Sequence, residues 1–102
     1  MSELASTLAQ RGTTYGDFRH NAIIADGLMK IMQGEMCPTN WQELDSVKRQ
    51  ALSVIAQKIS RILSPTGNPD YKDNWHDIQG YAKLAEDRCT APVHLPPHFP
   101  EA

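Results

Sequence analysis

Apolar positions recur along this chain at intervals of three and four, the pattern of helices that each bury one face. Over residues 17–33, Phe18, Ala22, Ala25, Met29 and Met32 keep that spacing, and Leu28 widens the stripe beside Met29. Asp17 offers a side-chain acceptor to the first free amides of this helix, and Gly34 offers a stop. A second stripe runs through Leu44, Val47, Ala51, Ile55, Ile59 and Ile62, flanked by Leu52, Val54 and Ala56, and predicts a helix from about Trp41 or Gln42 to Leu63. Asn40 or Thr39 is its expected cap, while Glu43 and Asp45 set negative charge at the positive end of the helix dipole. The run Ser64-Pro65-Thr66-Gly67-Asn68-Pro69 stops it. A third helix is predicted from about Asp70 to Arg88, with Asn68 or Asp70 near its cap and Tyr71, Trp75, Ile78, Ala82 and Ala85 as its apolar face.

No segment alternates with a period of two, so the expected class is all-α: an antiparallel hairpin of the second and third helices with the first packed across it. Residues 3–10 are expected to add a short helical turn. Residues 11–17 read as a flexible glycine- and threonine-bearing loop, whose free amides suit an anion or whose turn sets Tyr15 and Phe18 on the core. One domain is expected over residues 1–88. Pro92, Pro96, Pro97 and Pro100 then make residues 89–102 an extended tail.

Composition narrows the function classes. The 102 residues are 40% hydrophobic and 22% charged, with a net charge of −2 and an isoelectric point near 6.0, which gives no general pull toward nucleic acid or anionic lipid. No apolar run approaches a bilayer span, and the first thirty residues lack a basic start followed by an apolar stretch, so neither a membrane segment nor a signal peptide is expected. Cys37 and Cys89 stand alone, without zinc-ligand spacing, and are expected to be small apolar fillers with reduced thiols in a cytoplasmic protein. Ile23, Ile24 and Leu52 beside the main stripes give more apolar surface than one thin bundle covers, which points to a homo-oligomer, most simply a dimer.

The candidate chemistry is polar. Lys58 and Arg61 share a face of the second helix, and Asp73, Asp77 and Tyr81 line up on the third, with His76 beside them. With the turn centred near Thr66 and Gly67, Arg61 falls level with Asp73, and Lys58 near Asp77 or His76. Two readings follow from the same geometry. The charges form a register-setting network, or Lys58 and Arg61 hold phosphate oxygens while Asp73 and Asp77 orient them. In the second reading Arg11, Tyr15, His76 and Tyr81 complete a ligand-binding pocket. No nucleophile constellation is visible, so no catalytic residue is assigned. His76 is either a general base beside Asp77 or a hydrogen-bonded structural residue, and Trp41 and Trp75 are expected in the core or at a subunit interface. Facing carboxylates are missing on the second helix, so no metal site and no cofactor is expected.

Three blocks carry a resemblance: Arg11-Gly-Thr-Thr-Tyr-Gly-Asp-Phe18, Ala56-Gln-Lys-Ile-Ser-Arg-Ile-Leu63, and Asn68-Pro-Asp-Tyr-Lys-Asp-Asn-Trp-His-Asp-Ile-Gln-Gly-Tyr-Ala82. From about Arg11 to Arg88 the chain resembles a family of small uncharacterised phage and prophage proteins with the pattern RG-x-x-YG-x-F, HK-x-x-RI-L-x-G and D-x-W-x-DI-x-GYA. Gln57 stands where that family often has histidine. More distantly the helix pair looks like MazG-type all-α nucleoside triphosphate pyrophosphatases and nucleotide-modification-associated domains, enzymes that bind magnesium through E-x-x-E and E-x-x-D on adjacent helices. Asp77 matches the last of these positions, but Asn74 replaces the acid before it and the second helix has no E-x-x-E. The resemblance implies a phage accessory protein in the host cytoplasm that binds a nucleotide or other phosphate-bearing small molecule and is either non-catalytic or catalytically degenerate. Two alternatives are a host-protein interaction module acting through apolar helix faces and the tail, and a magnesium-dependent pyrophosphatase.

Overall fold

A computed structural model of the chain describes residues 3–89, the Thr13 side chain excepted. Within them lie α1 (Glu3–Tyr15), α2 (Phe18–Met32), a 3-10 turn (Trp41–Glu43), α3 (Ser46–Leu63) and α4 (Lys72–Glu86), and no strand. The fold is all-α. The extended tail expected after Cys89 lies outside the described residues, and no described helix is long and apolar enough to cross a membrane.

α3 is the central helix, with α4 packed along one side and α2 along another. Small side chains make this possible: Ala51 and Ala56 are 3% and 2% exposed and let the neighbouring backbones approach. Its start is displaced from the expected cap. Asp45 Oδ1 accepts from the Lys48 amide at 2.9 Å and caps α3, while the Arg49 guanidinium donates to the carbonyls of Trp41 (3.0 Å) and Gln42 (2.8 Å), holding the 3-10 turn as a separate element. Thr39 instead donates its hydroxyl to the Met32 carbonyl at 2.6 Å, closing the end of α2. Asp17 caps α2 as expected, accepting from the Arg19 amide at 2.7 Å, and Gly34 takes φ +91° just past its end.

α4 begins at Lys72, because Asn68 Oδ1 takes the Asp70 amide at 3.0 Å in a turn of its own. Its inward face keeps Tyr71, Ile78 and Ala85 of the expected stripe and adds Asn74 and Tyr81, while Trp75 and Ala82 face outward. Trp75 is pinned there by its indole N–H, which donates to the Pro69 carbonyl at 3.0 Å. Trp41, by contrast, is half-buried.

The largest departure is α1. The expected loop is helical through Tyr15 and turns only at Gly16, with φ +86°. Its amides are taken: Gly16 N–H donates to the Gly12 carbonyl at 3.0 Å, and Asp17 N–H to Thr66 Oγ1 at 2.9 Å. This turn lies against the α3–α4 turn, where the Asn68 amide donates to the Thr14 carbonyl at 3.2 Å. A Cβ on Gly67 would meet Arg61 O at 2.9 Å and Gly16 N at 3.0 Å, so only glycine allows the two turns to touch.

The buried apolar residues among those described are Ala51, Ala56 and Ile62, alongside buried Ser60, Ser64 and Asn74. Phe18, expected in the core, is 84% exposed, and both cysteines are exposed, free thiols rather than core filler.

Candidate functional site

The eight candidate residues separate into distinct places. Arg11, Tyr15 and Arg61 meet in a groove of about 640 Å³ between the C-terminal half of α1, the first turns of α2 and the C-terminal third of α3. The α1–α2 turn sets this meeting, since it delivers Tyr15 from α1 onto the face of α3 that carries Arg61. The Arg61 guanidinium stands 4.6 Å from the centre of the Tyr15 ring and that of Arg11 stands 5.1 Å from it. The electron-rich ring holds two cations that repel one another. Neither guanidinium makes an ion pair with a carboxylate among the described residues, so both retain N–H donors for an anion.

Tyr15 is steadied from its other neighbours. Tyr71 meets it edge-on, with ring centres 5.6 Å apart and planes at 71°, and Asn21 Nδ2 donates to the Tyr15 carbonyl at 2.9 Å. Asp73 acts on Tyr71 rather than on Arg61. Its carboxylate, as acceptor, and then the Tyr15 hydroxyl push the Tyr71 phenol up to about 12, so Tyr71 stays a protonated donor at neutral pH. The expected Arg61–Asp73 pairing is therefore replaced by Arg61 on Tyr15.

Lys58 pairs with Asp77 across α3 and α4 at 2.9 Å, with Lys58 only 16% exposed and Asp77 40%. This pair stands where the hairpin register placed it, outside the residues that line the groove. His76 is exposed on α4. Tyr81 lines a separate hollow of about 220 Å³ with Val47, Ala51 and Leu84. Sequence reasoning did not single out Asn21, Gln57 and Ser60 as groove residues. Asn21 carries a buried Oδ1 without a hydrogen-bond partner.

The residues do not fit a magnesium site of the pyrophosphatase kind. Among those described, no three His, Cys, Asp or Glu side chains cluster closely enough to hold a metal ion, Asp77 is committed to Lys58, and Asn74 is 1% exposed and neutral. No protein-family model, curated protein or solved structure matches this chain.

Proposed function

We propose that the chain binds a nucleotide or another phosphate-bearing small molecule in the groove between α1, α2 and α3, as a non-catalytic accessory protein of a phage or prophage in the host cytoplasm. The observation that carries this reading is the pair of guanidinium groups over one tyrosine ring, both without a carboxylate partner among the described residues. An anion bound between them relieves their mutual repulsion, and the planar forks match phosphate oxygens. The groove extends from that cationic end past Phe18, Ala22 and Ala25, which suits the less polar body of a nucleotide. Lys58, Asp77 and Asp73 support the walls of the site rather than touch its contents, and no proton-transfer step is assigned.

Isothermal titration of the full chain against mono-, di-, tri- and cyclic nucleotides tests this reading. At least one is expected to bind, with affinity reduced about tenfold or more by Arg61→Ala and only partly restored by Arg61→Lys, which keeps the charge but loses the fork. Absence of binding across the panel by the wild type refutes it.

A further inference from the structure

Beyond its cationic end the groove is open, lined by Leu8 of α1 and apolar residues of α2, with Leu4 one turn further out. On α1, Leu4 and Leu8 stand one turn apart on the row that runs on through Arg11 to Tyr15, and the two leucines are its exposed apolar part. On α2 the facing stripe is Phe18, Ala22 and Ala25. Leu4 is 68% exposed, Leu8 59% and Phe18 84%. A helix of 13 residues that contains Gly12 gains little from propensity alone, and helices below about 12–15 residues depend on packing for their stability.

We infer that a second copy of this chain closes the groove, with α1 of the two protomers antiparallel and the leucines of each entering between α1 and α2 of the other. The occupant is argued from α1 itself, which is self-complementary. Its two charges are Glu3 in the first turn and Arg11 about two turns later. An antiparallel pairing that sets Leu4 against Leu8 of the partner subunit also brings Glu3 beside Arg11 of the partner subunit, and a two-fold axis makes each contact twice. The area agrees. Leu4, Leu8 and Phe18 together expose on the order of 450 Å² per copy and 900 Å² over two, close to the roughly 1,200 Å² at which stable interfaces begin. Ala22, Ala25 and the Arg11 stem supply the remainder, and α1 and α2 of both copies then form a four-helix arrangement. This assembly takes up Arg11, Phe18, Ala22 and Ala25, which the ligand reading also uses, so the two occupants exclude each other there and the dimer is tested without ligand.

Sedimentation equilibrium of the full chain in phosphate- and nucleotide-free buffer decides it. The wild type is expected to be a dimer, and Leu4→Ser with Leu8→Ser a monomer that keeps the circular dichroism of the remaining helices. Glu3→Arg or Arg11→Glu alone turns two attractions into repulsions and raises the dissociation constant about tenfold, while the two combined return it to within about threefold of wild type. The charge series remains decisive if the leucine variant fails to fold. A monomeric wild type, a dimer indifferent to both leucines, or a charge pair no better combined than singly overturns the inference.

Discussion

Replacing Gly16 by alanine probes the contact that sets α1 against the rest of the fold. The residue holds φ +86°, a left-handed conformation that costs an L-residue about 1–2 kcal/mol. The added Cβ would also collide with Ser64 Oγ and lie 2.5 Å from Ser64 Cβ and 3.2 Å from Gly67 N. Ser64 is 4% exposed, so its side chain has no solvent to retreat into, and overpacking of this kind adds about 1–3 kcal/mol. The combined loss is about 2–5 kcal/mol, a large share of the roughly 5–15 kcal/mol that holds a domain folded. For a chain of this size that lowers Tm by roughly 10–25 °C. Gly67→Ala meets only backbone atoms, Arg61 O at 2.9 Å and Tyr15 C at 3.1 Å among them, and is expected to cost about 1–3 kcal/mol by crowding. Gly27 and Gly80 are the controls: each is helical with nothing within 4 Å of an added Cβ, so alanine there stabilises by about 0.5–1 kcal/mol. Urea denaturation followed by circular dichroism, at one fixed protein concentration, measures all four. Gly16→Ala within about 0.5 kcal/mol of wild type, or Gly80→Ala as harmful as Gly16→Ala, would refute the reasoning.

Three further outcomes are expected. Asp77→Ala leaves the Lys58 ammonium largely buried without its carboxylate and costs more stability than Lys58→Met, which keeps the apolar stem; a double-mutant cycle gives a coupling of about 1–2 kcal/mol, and a value near zero removes the pair from the hairpin's stability. Asp45 is held below the ordinary carboxylate range chiefly by the Lys48 amide and further by Arg88, so its folded pKa is below its unfolded one. Its contribution is then complete above the unfolded value of about 3.9 and fades as pH falls through the lowered one; acid titrations of Tm should be flatter below about pH 4 in Asp45→Asn, and identical acid limbs would contradict this. Asn74→Asp installs a carboxylate at a site 1% exposed; it should cost about 3 kcal/mol or more at pH 7 and much less near pH 4, and a pH-independent cost would show that the site admits water.

The three long helices were legible because each carries an apolar stripe of helical period. The turn of α4 about its axis was not, since Trp75 counts as apolar while its indole N–H is held by the Pro69 carbonyl, and Asn74 counts as polar while it is buried. The extent of α1 was hidden by Gly12-Thr13-Thr14, weak helix formers whose helical state continues up to a stop set by contact between Gly16 and Gly67. In the site, Lys58 and Asp77 were brought together by hairpin register alone. Arg11, Tyr15 and Arg61 were all candidates, but their convergence on one ring needs the two turns to touch, an event between positions some fifty residues apart that no local spacing encodes.

That contact between turns also makes the chain from Gly16 to Gly67 a closed circuit, with its ends fastened by the Thr14–Asn68 and Asp17–Thr66 hydrogen bonds. The exposed stretch from Met36 to Asn40 is the far side of the circuit, and its covalent continuity supplies only loop-closure entropy. A cut there leaves one piece holding α1 and α2 and another holding α3 and α4, each carrying one side of the clasp, with most of the groove lining on the first and Gln57, Ser60 and Arg61 on the second. The two pieces are thus complementary parts of one groove, which association in place of chain connectivity is expected to rebuild.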